Sequence, residues 1–124
     1  MKKELKTKLA PVPAGPYSQG IQVGNTIYTA GQGPIDAETG QVAGETIEEQ
    51  TAKTLENIKH ILEQAGAAMD DVVKTTVHLS DLADFHAFNE VYKQYFNEPY
   101  PVRTTVGSQL MGIKVEIDVV AIRK

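Results

Sequence analysis

Residues 46–79 read TIEEQTAKTLENIKHILEQAGAAMDDVVKTTVHL, and two periodicities meet within them. Thr46-Ile47-Glu48-Glu49 has the form of a capping box, a Thr followed three residues later by Glu, and predicts a helix start near Thr46. Ile47, Thr51, Leu55, Ile58, Ile61, Leu62 and Ala65 then fall on one stripe at helical spacing, which predicts one buried face. Gly66 is the natural stop. From Val72 to Leu79 the period changes to two. Val73, Thr75, Val77 and Leu79 are expected to face one way, and Val72, Lys74, Thr76 and His78 the other.

Upstream of the helix the chain reads as short strands and tight turns, because seven of the ten Gly lie between Gly15 and Gly44. Gly24-Asn25 between the apolar runs Gly20–Val23 and Thr26–Ala30 is a hairpin signal, and a second turn is expected at Asp36 to Gly40. Pro11, Pro13 and Pro16 make the Gly15-Pro16-Tyr17 segment stiff, extended and non-helical. Downstream, a second helix is expected from Ser80 or Asp81, with Phe85, Phe88, Tyr92, Tyr95 and Phe96 as its buried stripe and Pro99 and Pro101 as its stop. Two strands follow. In one, Val102, Thr104 and Val106 share a face opposite Arg103 and Thr105. In the other, Val115, Ile117, Val119 and Ala121 share a face. The order β-β-β-α-β-α-β-β predicts a single domain over residues 1–124. Its class is α/β (α+β), a two-layer sandwich of one mixed sheet with two helices on one face.

Two helices cover only one sheet face. The other is expected to carry Arg103, Thr105, Glu116, Asp118, Thr76 and His78 among Val72, Val120 and Ile122. So mixed a face suits packing against another copy, with polar pockets at the seams. The alternative is a plain exposed face with scattered apolar residues.

Composition narrows the chemistry. The 124 residues include 12 Lys+Arg against 16 Asp+Glu, a net charge of −4, with 41% apolar residues and no Cys. That is too apolar for a disordered chain. Absent Cys excludes disulfides, thiolate-bound metal and a thiol nucleophile. The acidic balance argues against a nucleic-acid binder, and the Lys2–Lys8 cluster reads as a solvated strand. No leader pattern and no membrane span are apparent, so a cytoplasmic location is expected.

Arginine is scarce, only Arg103 and Arg123. Arg103 lies inside a strand pattern, where an idle charge is unwelcome. It suits bidentate capture of a carboxylate or phosphate, or else a structural ion pair with Glu116 or Asp118. Glu116 and Asp118 point the same way from one strand, as paired acid/base groups do and as half-exposed strands also do. His60, His78 and His86 have no ligand spacing and read as surface or rim residues. Gly31-Gln32-Gly33-Pro34 is no dinucleotide fingerprint. Its Gly residues free backbone N–H groups or make a bulge.

Together, Pro11-x-x-x-Gly15-Pro16-Tyr17-Ser18-Gln19-Gly20, Tyr28-Thr29-Ala30-Gly31-Gln32-Gly33-Pro34-Ile35-Asp36, Glu49-Gln50-Thr51, Pro101-Val102-Arg103-Thr104-Thr105 and Val115-Glu116-Ile117-Asp118 resemble the RidA/YjgF family of small imine deaminases. The resemblance spans Leu9 to Ile122. It implies a chorismate-mutase-like fold and a homotrimer with a pocket at each subunit interface. It also implies hydrolysis of enamine and imine intermediates (2-aminoacrylate, 2-iminopropanoate, 2-iminobutanoate) to 2-oxoacids and ammonia, with no cofactor and no metal. By the same resemblance Arg103 grips the carboxylate of a 2-imino acid and Glu116 positions the attacking water. Tyr17, Gly31, Asn89 and Thr105 lie at the pocket. The chain departs from the family pattern at Ala30, where Ser is frequent, and in the short loop Gly107–Gly112. Two other readings stand beside this one. One is a non-catalytic trimer that binds a 2-oxoacid and regulates protein partners. The other is RNA cleavage, which calls for a basic groove.

Overall fold

The computed structural model describes residues 1–124. In chain order the elements are β1 (Lys2–Leu5), β2 (Gly20–Val23), β3 (Thr26–Thr29), α1 (Ile47–Glu63), β4 (Val72–Leu79), α2 (Phe85–Tyr92), β5 (Val102–Gly107) and β6 (Val115–Ile122). This is the expected order. One six-stranded sheet runs β1-β2-β3-β6-β4-β5. Only β4 and β5 pair in parallel, so the sheet is mixed.

The local causes are visible. Gly24, at φ +58, takes the first central position of the β2–β3 hairpin turn, where a side chain would be strained. At the start of α1 the Thr46 hydroxyl accepts from the Glu49 N–H at 3.1 Å, and the Glu49 carboxylate accepts from the N–H groups of Thr46 and Glu45. Those N–H donors hold the Glu49 carboxyl below its ordinary range. Gly66, at φ +70, turns the chain after α1, and the Ala67 N–H returns to the Leu62 carbonyl. The α1 stripe is buried as expected, against Ile27, Val77, Ile117 and Val119 of the sheet. Gly20 makes close contact possible, since a Cβ there would sit 2.8 Å from Ile61 Cγ2.

Three expectations need correction. The second helix starts at Phe85, later than Ser80 or Asp81, because Asp81 caps a 3-10 turn over Leu82–Asp84 that comes first. Of its expected stripe, Phe88, Tyr92 and Phe96 are buried, while Phe85 remains exposed. In β4 the alternation fails at its first step. The register skips from Val72–Ala121 to Lys74–Val120, a bulge that leaves Val73 without an opposite residue. Val72 is therefore buried at 6% exposure, and Val73 points outward at 43%.

The third correction bears on the site. Arg103 and Thr105 are opposite Thr75 and Val77, both buried inward residues, so they lie on the helix side of the sheet. They do not share the open face with Glu116 and Asp118, which pair with His78 and Thr76. Val102, Thr104 and Val106 occupy the open face in their place. The reason is that β5 is an edge strand reached by the end of α2. Its inward positions are only half dry, so burial there does not select apolar residues as it does in β6.

Candidate functional site

Arg103 reaches into the angle between β5 and α2. Its guanidinium carbon lies 4.7 Å from the centre of the Tyr92 ring, 5.4 Å from Phe88 and 5.6 Å from Phe85. Three ring faces within about 6 Å attract the cation through their quadrupoles, each by roughly 0.5–1 kcal/mol or more as water is excluded. The chain's ion pairs are His60–Glu63 and Lys93–Glu90, so Arg103 pairs with neither Glu116 nor Asp118. The structural-pair alternative is thereby removed, and the N–H fork is left for another acceptor. Tyr92 is itself pinned: its hydroxyl lies 2.8 Å from Oγ1 of the fully buried Thr75. Burial pushes the Tyr92 phenol up from its ordinary value, so the ring is neutral. Beside the guanidinium is a cleft of about 320 Å³ lined by Asn89, Tyr92, Lys93, Tyr100, Pro101 and Arg103. Asn89 Oδ1 is buried without a hydrogen-bond partner. Thr105, two residues beyond Arg103, does not line the cleft.

A second cleft, of about 540 Å³, holds Tyr17, Gly31 and Glu116. The backbone of Gly31 is pressed against the Glu116 side chain, since a Cβ there would lie 2.7 Å from Glu116 Oε2. Paired hydrogen bonds between Gln32 and Ile117, at 2.8 and 2.9 Å, lay this loop along β6. The Gly31 N–H donates to no backbone carbonyl of the chain. Two amides on α1 fix the surrounding loops. Asn57 Nδ2 donates to the carbonyls of Gly33 and Ile35, each at 3.0 Å, and Gln50 Oε1 accepts from the Lys114 N–H at 2.8 Å. Buried Gln19 donates to the Ala10 and Pro11 carbonyls and so ties down the proline segment. That segment bends where an extended run was expected, because the Tyr17 N–H bonds back to Gly15 and the Tyr17 hydroxyl accepts from Ala14. The Asp36 carboxylate accepts from the Thr39 and Glu38 N–H groups, which hold its pKa low.

The candidate residues thus divide. Arg103 and Asn89 line one cleft and Tyr17, Gly31 and Glu116 the other, with no lining residue in common. The register sets Arg103 and Glu116 on opposite sides of the sheet. The charges divide as well: Arg103 and Lys93 in the first, Glu116, Asp36 and Glu38 in the second. His78, on the open face, bonds to Ser108 at 2.8 Å. No set of three His, Asp or Glu is gathered as a metal ion requires. No helix is long and apolar enough to cross a membrane. Sequence reasoning missed the aromatic bed under Arg103 and the amides Asn57 and Gln19. The Phe85–Phe96 stripe was the available signal for the bed, but a stripe reads as core whether or not a cation rests on it.

Residues 7–123 match the family model described as Endoribonuclease L-PSP. A RutC family protein of Pyrococcus abyssi is 52% identical over 121 residues, 98% of this chain and 95% of that protein. A 2-iminobutanoate/2-iminopropanoate deaminase of Dermatophagoides farinae is 38% identical over 123 residues, 98% of this chain and 96% of that protein. The crystal structure of E. coli TdcF with bound serine superposes with a TM-score of 0.91 at 36% identity, covering 98% of this chain and 99% of that one.

Proposed function

This chain belongs to the RidA/YjgF family, which includes reactive intermediate deaminases, and from that premise we propose that it hydrolyses 2-imino acids to 2-oxoacids and ammonia. The observation that carries the reading is the Arg103 guanidinium, held on ring faces beside a cleft and matched to no carboxylate of its own. A planar fork left in this way fits a small organic carboxylate bidentately. The anionic cleft with Glu116 suits the other end of such a substrate, the protonated imine nitrogen. A zwitterion needs both, and the two clefts lie on opposite sides of one chain. We therefore propose that copies associate head to tail and that each site joins the Arg103 cleft of one copy to the Glu116 cleft of the next. Unlike patches that meet in this way form a ring when the rotation between copies closes, and a filament when it does not. We propose that this ring is a homotrimer, as the family resemblance implies, and that it acts in the cytoplasm.

The steps balance simply. Glu116 orients a water and takes its proton as the oxygen bonds to the imine carbon, giving a carbinolamine. The proton passes from Glu116 to the nitrogen. The C–N bond breaks and ammonia leaves as the carbinolamine hydroxyl gives its own proton to the freed Glu116 carboxylate, so that the C=O of the 2-oxoacid forms, and that proton departs with ammonia as ammonium. A positioned carboxylate of this kind is worth roughly 10²–10⁴-fold. The Gly31 N–H supports charge developing on oxygen. Tyr17 and Asn89 bound the pocket, and Thr105 helps set the strand that carries Arg103. The residues invoked require no metal or organic cofactor. The Glu116 cleft contains no Lys or Arg, which disfavours RNA as substrate.

The test generates 2-iminobutanoate with a pyridoxal phosphate-dependent dehydratase and traps it with semicarbazide. The protein should reduce the semicarbazone formed, and Arg103→Ala should lose about 10²-fold of that effect, the weight of a charge-assisted bidentate contact. An Arg103→Ala variant as active as the unaltered protein would overturn the assignment. Saturable 2-oxobutanoate binding with no acceleration of hydrolysis would select the regulatory trimer instead.

A further inference from the structure

Two neighbours of Arg103 form a hydrogen-bonded pair, Tyr92, which lines the cleft, and Thr75, which does not. Among the inward residues of β4, Thr75 is the polar one, followed on the same face by Val77 and Leu79. Valine would fill the same space. Instead a hydroxyl lies one strand away from Arg103, opposite it in register, and 2.8 Å from the phenol oxygen of Tyr92. The ring so held is the nearest of the three under the guanidinium. Ring faces hold a cation without consuming its N–H groups, whereas a carboxylate partner would occupy the fork. From this juxtaposition we propose that Thr75 and Tyr92 are positioning residues, Thr75 acting through Tyr92, that aim the Arg103 fork at a substrate carboxylate. The proposal rests on the carboxylate-anchoring role given to Arg103 above.

A purely structural hydrogen bond makes a different prediction. When both partners of a buried bond are replaced by apolar groups of the same shape, stability changes little. The double variant Thr75→Val/Tyr92→Phe therefore keeps the fold and the ring face, and removes the pin together with the phenol oxygen's own contact with Arg103. It should melt close to the unaltered protein. Its affinity for 2-oxobutanoate should fall about three- to tenfold, while binding of the neutral methyl ester changes less, since the loss lies in aiming a charged fork. In the imine assay KM should rise by a similar factor with kcat within about twofold, the pattern of lost uniform binding. Thr75→Ser, which keeps a hydroxyl, should retain binding near the unaltered value. Tyr92→Leu, which removes the ring face itself, should lose more than the double variant. The proposal is overturned if the folded double variant prefers the carboxylate over its ester as strongly as the unaltered protein does. It is equally overturned if Thr75→Ser behaves like Thr75→Val. If the unaltered protein neither binds 2-oxobutanoate nor hydrolyses the imine, it is the parent reading of Arg103 that fails.

Discussion

At Gly31 a single methyl group separates fold from function. A Cβ there would lie 2.7 Å from Glu116 Oε2, 3.0 Å from Cδ and 3.2 Å from Cγ, so the carboxylate arm as a whole has to turn aside. Gly31→Ala is therefore expected to leave the melting temperature nearly unchanged and to cut imine hydrolysis by at least tenfold, because it displaces the proposed base. Melts and the trapping assay on one preparation check both halves. Asp118 carries a pH prediction. Burial raises its carboxyl above the usual 3.8, partly offset by the charges of His78 and Lys74 and the Thr76 hydroxyl. A raised folded pKa means that the native state favours the proton. The stability it contributes is full below pH 3.8 and is lost as pH rises through the folded value. Asp118→Asn, which never charges, should melt higher than the unaltered protein near pH 7, and the gain should vanish below pH 3.8. Arg103 stands out in the sequence as an arginine amid valines and threonines, whereas the Glu116/Asp118 spacing is ordinary for a half-exposed strand and only the family resemblance singles out Glu116. Their separation into different clefts was not legible. Nothing in the alternation of Val102–Val106 says which side faces the helices.

That distinction belongs to the elements. Where a strand or helix buries one whole face, the sequence shows it: the α1 stripe and the alternation of Val115, Ile117, Val119 and Ala121 both came through intact. Where burial is partial, pairing takes over. Register with β4 decides the sides of β5, and one unpaired residue, Val73, reverses the start of β4. Sidedness of this kind is a property of two strands together and cannot be read from either alone. The contact between α1 and β2 shows how close the layers are. Gly20 admits Ile61 Cγ2, and an added Cβ would stand 2.8 Å from it and 3.2 Å from the Tyr28 carbonyl. Gly20→Ala should destabilise the protein by about 1–3 kcal/mol, as overpacking does. Urea denaturation would register this as a lower midpoint with an unchanged slope.

For the molecule as a whole, the divided site leads to a sharp test. If Arg103 and Glu116 serve one reaction from different copies, two inactive variants can complement each other. Arg103→Ala and Glu116→Gln, unfolded together in equal amounts and refolded, should recover roughly one quarter of full activity, since each site draws its two halves independently. Sites contained within single chains would recover none. The open sheet face is the surface on which the proposed association of copies would be sought. It presents Tyr28, Val120 and Ile122 beside Val102 and Val106, and Val102 is 67% exposed in the single chain. This face is more apolar than the sequence suggested, because the valines of β5 stand where Arg103 and Thr105 were expected. The strand order has one more consequence. β6 lies between β3 and β4, so it alone joins the β1–β3 meander to the parallel pair β4–β5. It is also translated after the other five. While the chain is still threading out of the ribosome the two halves of the sheet have no seam, and the strand that closes it is the one that delivers Glu116.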